Sequence, residues 1–553
     1  MIVSILLLVL VVLAATQVRG RRTPSDGVGV AVRRFFQYVL LAAMVAIVAI
    51  GIAGLLGRGL DRGALVVADT VDLARDLAFL VVGIPTLVGV AALTRSRLRV
   101  GPRERQSLGW MLYLASVELV ALVVAMAAMQ DVLLWIMQAR RFDGGALSRA
   151  IVWGAVLAVH VRIGVRIPPR SRDARVAATI IGLWGSASGI AALVAAAYDS
   201  VLSVPLVVEG TSAVPSALAS IIVGGAVWIG YWFGALRDAP RTAGRQFYLV
   251  VVGVAGGLLA SIIGATIIVY HVLVWWFGVP WALDAAAHFR SASGAVGALV
   301  AGLVVWSFHR TVVVRERGPA RDAAHRIADY VTAGIALGAI GVAVAVLAVA
   351  GIESATASVA LAGQPARNTL LLACTLLLVG GPVWARWWQA IRRAVAADPE
   401  GERSSVPRRV YLVVLFGVVG IAAVAALIVA VAFCFDDLVV GRFGLNTLRR
   451  ARWPIGVLVS AGVIAFAHWR IYRADRVHAV EPTLRHLLLV GPVSEEVERE
   501  LGRRLGARIE VWGTEGDVWE VDAIVTALTG LANDTVAVVP SEDGPRALSV
   551  ERH

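Results

Sequence analysis

The chain is 553 residues long, 59% hydrophobic and only 16% charged, with a mean hydropathy of +0.79 and a formal net charge of +13. A globular domain is about a quarter charged, so this composition excludes an ordinary soluble protein and points to a polytopic membrane protein. No lysine occurs, so all 51 basic residues are arginine, which excludes a Walker A phosphate loop and Schiff-base chemistry.

The first apolar run, residues 2 to 15, is followed rather than preceded by positive charge, at Arg19, Arg21, Arg22, Arg33 and Arg34. A secretory signal carries its charge in front. Residues 1 to 30 therefore read as an uncleaved transmembrane anchor and linker, with the N-terminus outside. Twelve more apolar runs follow, at about 35–57, 77–94, 107–137, 149–165, 177–206, 216–236, 247–278, 292–309, 328–352, 369–390, 410–435 and 454–472, each able to cross roughly 30 Å of hydrocarbon. The expected fold is an all-α polytopic membrane protein of thirteen transmembrane helices, the last twelve within residues 31 to 476. Alternation from an outside N-terminus places the arginine clusters around Arg95 to Arg105, Arg162 to Arg175, Arg237 to Arg245, Arg310 to Arg326 and Arg386 to Arg409 in the cytoplasm. Clusters of this kind, spaced between spans, are those of membrane loops and not of a nucleic-acid surface. Arg442, Arg449, Arg450 and Arg452 break the pattern on the outer side. Cys374 and Cys434 both fall inside apolar runs, which leaves no disulfide framework and no metal-ligand spacing, and no cofactor motif is present.

The twelve runs pair into six tandem units. Each unit opens on an arginine followed by aromatics: Arg34 with Phe35, Phe36 and Tyr38; Arg105 with Trp110 and Tyr113; Arg175 with Trp184; Arg245 with Phe247 and Tyr248; Arg326 with Tyr330; Arg409 with Tyr411. The openings recur every 70 to 83 residues or so. The second helix of a unit closes in Trp, His and Arg, seen at Trp228, Trp232, Trp306, His309, Trp384, Trp387, His468 and Trp469. Such residues at a helix end are expected as interface anchors, with rings at the membrane boundary.

The stretch Gly381-Pro382-Val383-Trp384, continuing through Trp387 and Trp388 to Ala397-Asp398-Pro399-Glu400 and Arg408-Arg409-Val410-Tyr411-Leu412, resembles the repeat junction of a bacterial integral-membrane family catalogued as domain of unknown function 5671. The resemblance spans about residues 30 to 475 and is clearest in the last three units; Trp387 stands where the family usually has His. It implies a multi-helix domain of the bacterial inner membrane and no particular activity, substrate or catalytic residue.

Ionisable residues inside spans are the place to look for function. Glu118 lies near mid-depth of its helix, with Ser116 beside it and Ser186 and Ser188 of the next unit as candidate partners. It reads either as a proton or cation site or as a neutral acid hydrogen-bonded between helices. A second set closes the long first helices: Asp61, Asp131, Asp199, His271, Glu353 and Asp436 with Asp437. These read either as an outer ring that attracts cations or as solvated helix ends.

After Arg476 the pattern changes. Residues 482 to 553 alternate strand and helix: strands at 485–490, 508–512, 535–539 and 547–550, a helix at 494–505 ended by Gly506, and another after Asp517. Ser494 and the Asp517 to Glu520 segment read as helix caps, and Asp543-Gly544 as a hairpin turn. This is a small, acidic cytoplasmic α/β domain. Gly491-Pro492-Val493-Ser494 is a candidate for offering amides to a phosphate, although docking of a protein partner is the favoured reading.

Together these features predict a membrane scaffold or sensor, embedded in the lipid bilayer and carrying a cytoplasmic docking domain. The alternative is a transporter or channel for a small solute or cation that uses Glu118. An enzyme ranks last, because the sequence offers no paired carboxylates, spaced histidine cluster or nucleophile with a base.

Overall fold

The computed structural model describes residues 28–61, 70–100, 102–166, 172–202, 213–240, 242–316, 323–359, 366–476, 484, 486–513, 516, 518–528, 535–541 and 544–549. The expected anchor, residues 2 to 15, lies outside them. Asp517 and Asp543 do too.

Among the described residues twelve helices are long and apolar enough to cross a membrane, and they coincide with the twelve apolar runs. The protein is a multi-pass membrane protein. The helices are α1 (Val28–Leu60), α2 (Thr70–Val100), α3 (Leu108–Ile136), α4 (Gly144–Val165), α5 (Arg172–Val201), α6 (Ala213–Tyr231), α7 (Gly257–Phe277), α8 (Ser293–Arg315), α9 (Ala323–Ala355), α10 (Ala366–Ala397), α11 (Val406–Val439) and α12 (Arg452–Arg476). Helix α6 runs on into a π-helical turn, Trp232–Leu236, and α7 is entered through a longer π-helical stretch, Phe247–Gly256. π-Helical turns recur at functional sites because they re-aim side chains. Here they bracket one junction between helix pairs.

Consecutive helices pack as pairs, α1 on α2, α3 on α4, α5 on α6, α7 on α8 and α9 on α10. In the last pair both members reach α9: α11 packs on it, and Ser460 of α12 donates to the Gly341 carbonyl at 2.6 Å. Close approach depends on small residues, as expected where lipid supplies no hydrophobic drive between helices. At the α5–α6 crossing a Cβ on Gly224 would lie 2.4 Å from the Ser186 nitrogen, and one on Gly182 would lie 2.6 Å from the Trp228 nitrogen.

The C-terminal unit holds a four-stranded sheet, β1 (His486–Val490), β2 (Arg508–Trp512), β3 (Thr535–Ser541) and β4 (Gly544–Ser549), in the order β2-β1-β3-β4. β1 is parallel to β2 and β3, and β4 is antiparallel to β3. Helices α13 (Glu495–Leu505) and α14 (Val521–Leu528) share one face. Leu501 and Ile524 complete a core with Leu487, Leu489, Val536 and Val538, and Arg504 bonds Asp522 at 2.8 Å. Ser494 caps α13 by accepting from the Val497 N–H, and Gly506 ends it in the left-handed region at φ 63°, as the sequence predicts.

Candidate functional site

Glu118 is buried in α3, 4% exposed, and its Oε1 accepts from the Tyr231 hydroxyl of α6 at 3.0 Å. The serines expected to partner it turn back on their own helices: Ser116 donates to the Tyr113 carbonyl, Ser186 to Leu183 and Ser188 to Gly185. A serine three residues beyond a helical carbonyl satisfies itself locally. Tyr231 reaches across because its long ring carries the hydroxyl to the neighbouring helix.

Tyr231 sits where the second helix of other pairs places a histidine. In the second pair the Tyr113 hydroxyl lies 3.0 Å from His160 Nε2, while His160 Nδ1 is 2.8 Å from the Val156 carbonyl. The fourth pair repeats the arrangement, with Tyr248 2.8 Å from His309 Nε2 and His309 Nδ1 2.7 Å from the Val305 carbonyl. The carbonyl can only accept, so Nδ1 carries a proton toward it, and Nε2 faces the tyrosine hydroxyl. Both nitrogens of each histidine are thereby occupied.

The fourth-pair couple belongs to the junction bracketed by the π-helical turns. Trp228 Nε1 donates to the Tyr248 hydroxyl at 2.7 Å, and the Trp228 and Trp232 rings stack with 2° between their planes. Below them Arg245, its side chain 3% exposed, donates Nε to the Leu236 carbonyl at 2.8 Å, Nη2 to the Arg237 carbonyl at 3.0 Å and a two-pronged pair of bonds to Glu316. One guanidinium thus ties the end of α6 to the end of α8. The first pair closes similarly: Glu104 accepts from Arg34 Nε at 2.9 Å, Arg33 Nη2 at 3.3 Å and the Tyr38 hydroxyl at 2.9 Å. Both latches join the opening arginine of a pair to a glutamate just past its second helix.

Burial of Glu104 works to raise its carboxyl pKa, but the hydrogen bonds from Arg34 and Tyr38 and the charges of Arg34 and Arg33 outweigh it and hold the group below its ordinary 4.5. A carboxylate depressed on folding adds stability that is complete above its unfolded value and is lost as the pH falls through the folded one. Thermal midpoints measured from pH 7 down to pH 3 should therefore fall more steeply for the wild-type protein than for Glu104→Gln. Parallel curves would show that the latch carries no proton linkage.

Five of the acids expected to form an outer ring have partners. Asp61 accepts from the Gly144 N–H at 2.6 Å, Asp131 pairs with Arg140 at 2.6 Å, and Glu353 binds Arg452 at 3.0 Å and Thr369 at 2.7 Å. Asp436 and Asp437 share Arg450. Arginines thus sit against four of these five carboxylates, whereas Asp61 holds a neutral amide and keeps its charge. Arg449, Arg450 and Arg452, which break the charge pattern of the sequence, neutralise or staple that end, Arg449 by donating to Thr356. Asp199 stands apart, with a buried Oδ1 that has no partner among the described residues. His271 is buried against His288 and Trp281, with ring centroids at 5.3 and 4.6 Å.

Several expected interface anchors face inward. Trp232 is 2% exposed and His309 0%, and His468 is also buried; His309 turns both ring nitrogens inward, to the Val305 carbonyl and the Tyr248 hydroxyl. Trp228, Trp306, Trp384 and Trp387 are half-buried and Trp469 is exposed. Arg310 lies against the edge-to-face pair Trp306 and Trp387, 5.3 and 4.9 Å from the two ring centroids.

Sequence reading missed Glu104, Glu316, Tyr231 and Asp76. Asp76 of α2 is buried against Gly54, with Arg58 3.7 Å and Arg75 3.1 Å away. The signal was present for two of them, since Glu104 and Glu316 stand 70 and 71 residues after Arg34 and Arg245.

In the C-terminal unit the loop at Gly491 is occupied. Its N–H donates to the Trp512 carbonyl and the Trp519 ring lies where a Cβ would point. A phosphate cannot use that amide. Among the described residues no group of three or more His, Cys, Asp or Glu could hold a metal ion.

The family model described as domain of unknown function (DUF5671) matches residues 34–159 and 326–463. The match takes in the first two helix pairs as well as the last two, and stops short of the fourth, where the sequence resemblance also looked strong. No curated protein and no solved structure matches the chain. The unmatched middle nevertheless contains an arginine–glutamate latch, Arg245 with Glu316, as the matched part does at Arg34 and Glu104, and a tyrosine–histidine couple like that of Tyr113 and His160 at the edge of the match.

Proposed function

We propose that the protein is a membrane scaffold or sensor, built on six tandem helical hairpins and presenting its C-terminal α/β domain to a protein partner in the cytoplasm. The observation that carries this reading is that four buried polar pairs of the helical unit close on one another: Glu118 on Tyr231, Tyr113 on His160, Tyr248 on His309, Arg245 on Glu316. A transport pathway needs polar groups left to exchange partners with a passing solute. Docking is supported by the sheet face opposite α13 and α14, where alternation places Leu488, Val490, Leu548 and Trp512, the last 58% exposed. An inward C-terminus is supported by arginines concentrated where one pair joins the next, whereas those at the other end are largely matched by acids.

The competing reading, a transporter or channel for a small solute or cation, draws on the burial of Glu118 within a spanning helix. Single cysteines placed around Glu118, in a background lacking Cys374 and Cys434, distinguish the two. With a membrane-impermeant thiol reagent applied to intact cells and to inverted vesicles, labelling is expected at loop positions alone. Labelling beside Glu118 from either side would reveal a hydrated path and put transport first.

A further inference from the structure

At the end of α2 most arginines are already engaged. Arg33 and Arg34 share Glu104, Arg97 Nη1 donates to Gln37 at 2.6 Å, and Arg105 Nε donates to the Leu98 carbonyl at 2.7 Å. Arg95 and Arg99 differ. One helical turn apart on an exposed face, they make no hydrogen bond or ion pair with any described residue, and with Ala92 and Ser96 they line a shallow, open depression. One glutamate serves two arginines nearby, so the neighbourhood keeps a surplus of positive charge.

The same helix face is apolar beyond the depression. Val81, Ile84, Val88 and Ala92 recur at helical spacing and are all exposed. From Ile84 to Arg95 the helix rises about 16 Å, close to the roughly 15 Å that one leaflet contributes to the hydrocarbon core. An apolar lane one leaflet deep therefore ends in two guanidinium groups and a hydroxyl.

We infer that Arg95, Ser96 and Arg99 bind the phosphate of an anionic phospholipid whose acyl chain lies along Val81, Ile84, Val88 and Ala92. Guanidinium groups match phosphate oxygens with paired N–H donors, and the Ser96 hydroxyl adds a third donor. A free phosphate offers the same oxygens, but only a lipid also covers the apolar lane. The site is independent of the scaffold reading, since a transporter could bind the same lipid.

The test titrates full-length protein in neutral detergent with phosphatidylglycerol and reads the thermal midpoint together with the lipid retained in native mass spectrometry. Wild-type protein is expected to be stabilised by phosphatidylglycerol, and not by phosphatidylcholine or inorganic phosphate. Arg95→Gln/Arg99→Gln should weaken the effect about ten- to thirty-fold, from about 1 kcal/mol for each arginine near a headgroup. Arg392→Gln/Arg393→Gln removes the same charge from an exposed stretch of α10 and should leave it intact. Ala92→Trp, which fills the depression while keeping both arginines, should reproduce the loss. Equal weakening in the α10 control, unchanged binding in the α2 variants, or equal stabilisation by inorganic phosphate would overturn the site.

Discussion

Glu316→Ala is expected to cost about 3–5 kcal/mol of stability, more than Arg245→Ala at about 2–3 kcal/mol, although the two residues form one ion pair. The asymmetry follows from burial. The Arg245 side chain is 3% exposed and that of Glu316 29%. Removing the glutamate strands a cation that water cannot reach, whereas removing the arginine leaves a carboxylate that water can solvate. Arg245→Ala still carries a penalty, because the Leu236 and Arg237 carbonyls lose their donor and Trp232 loses the guanidinium 6.0 Å from its ring. The double variant should resemble Arg245→Ala and fall well short of the sum, since no stranded cation remains. Reversible unfolding in mixed micelles measures all three. Additive effects below about 1 kcal/mol each would mean that the latch is a solvated surface pair.

Which features the sequence disclosed follows from the length scale of each signal. Twelve spans were legible because a membrane helix needs about 20 apolar residues in succession, and the alternating tail because Ser494 and Gly506 mark the limits of α13 through local backbone chemistry. The polar contacts were not legible in the same way. Glu118 stands out in an apolar run, but its partner Tyr231 lies 113 residues away, and nothing in the composition of α6 says which face meets α3. The serines Ser116, Ser186 and Ser188 donate within their own helices, because proximity in sequence favours a bond there. The acids of the supposed ring were visible one by one. The partners of Asp436, Asp437 and Glu353 were not, because Arg450 and Arg452 come from the far side of a loop or the next helix pair. Trp232 and His309 have the residue types of a membrane boundary, yet Trp232 falls in one π-helical turn and His309 meets Tyr248 of the other, and such turns have no simple sequence signature.

Gly224 and Gly225 are adjacent, and their alanine variants should move stability in opposite directions. A Cβ on Gly224 would sit 2.4 Å from the Ser186 nitrogen and 2.6 Å from the Gly185 carbonyl carbon, both backbone atoms of α5, so neither helix can give way by a rotamer change. Forcing the crossing apart costs about 2–3 kcal/mol. A Cβ on Gly225 meets nothing within 4 Å, so Gly225→Ala gains helix propensity and should stabilise by a few tenths to about 1 kcal/mol. The crossing also bears on the polar interior, because Tyr231 lies two turns beyond Gly224 on the same helix and must reach Glu118 from there. Gly224→Ala should therefore make a cysteine beside Glu118 more accessible to thiol reagents, as Tyr231→Phe should, while Gly225→Ala leaves it protected. If both glycine variants destabilise equally, α6 is packed on a face other than the one toward α5. If Gly224→Ala loosens the crossing but leaves that cysteine protected, the Glu118–Tyr231 bond is held by α3 and the remaining bundle, and the α5–α6 hairpin only carries the tyrosine to it.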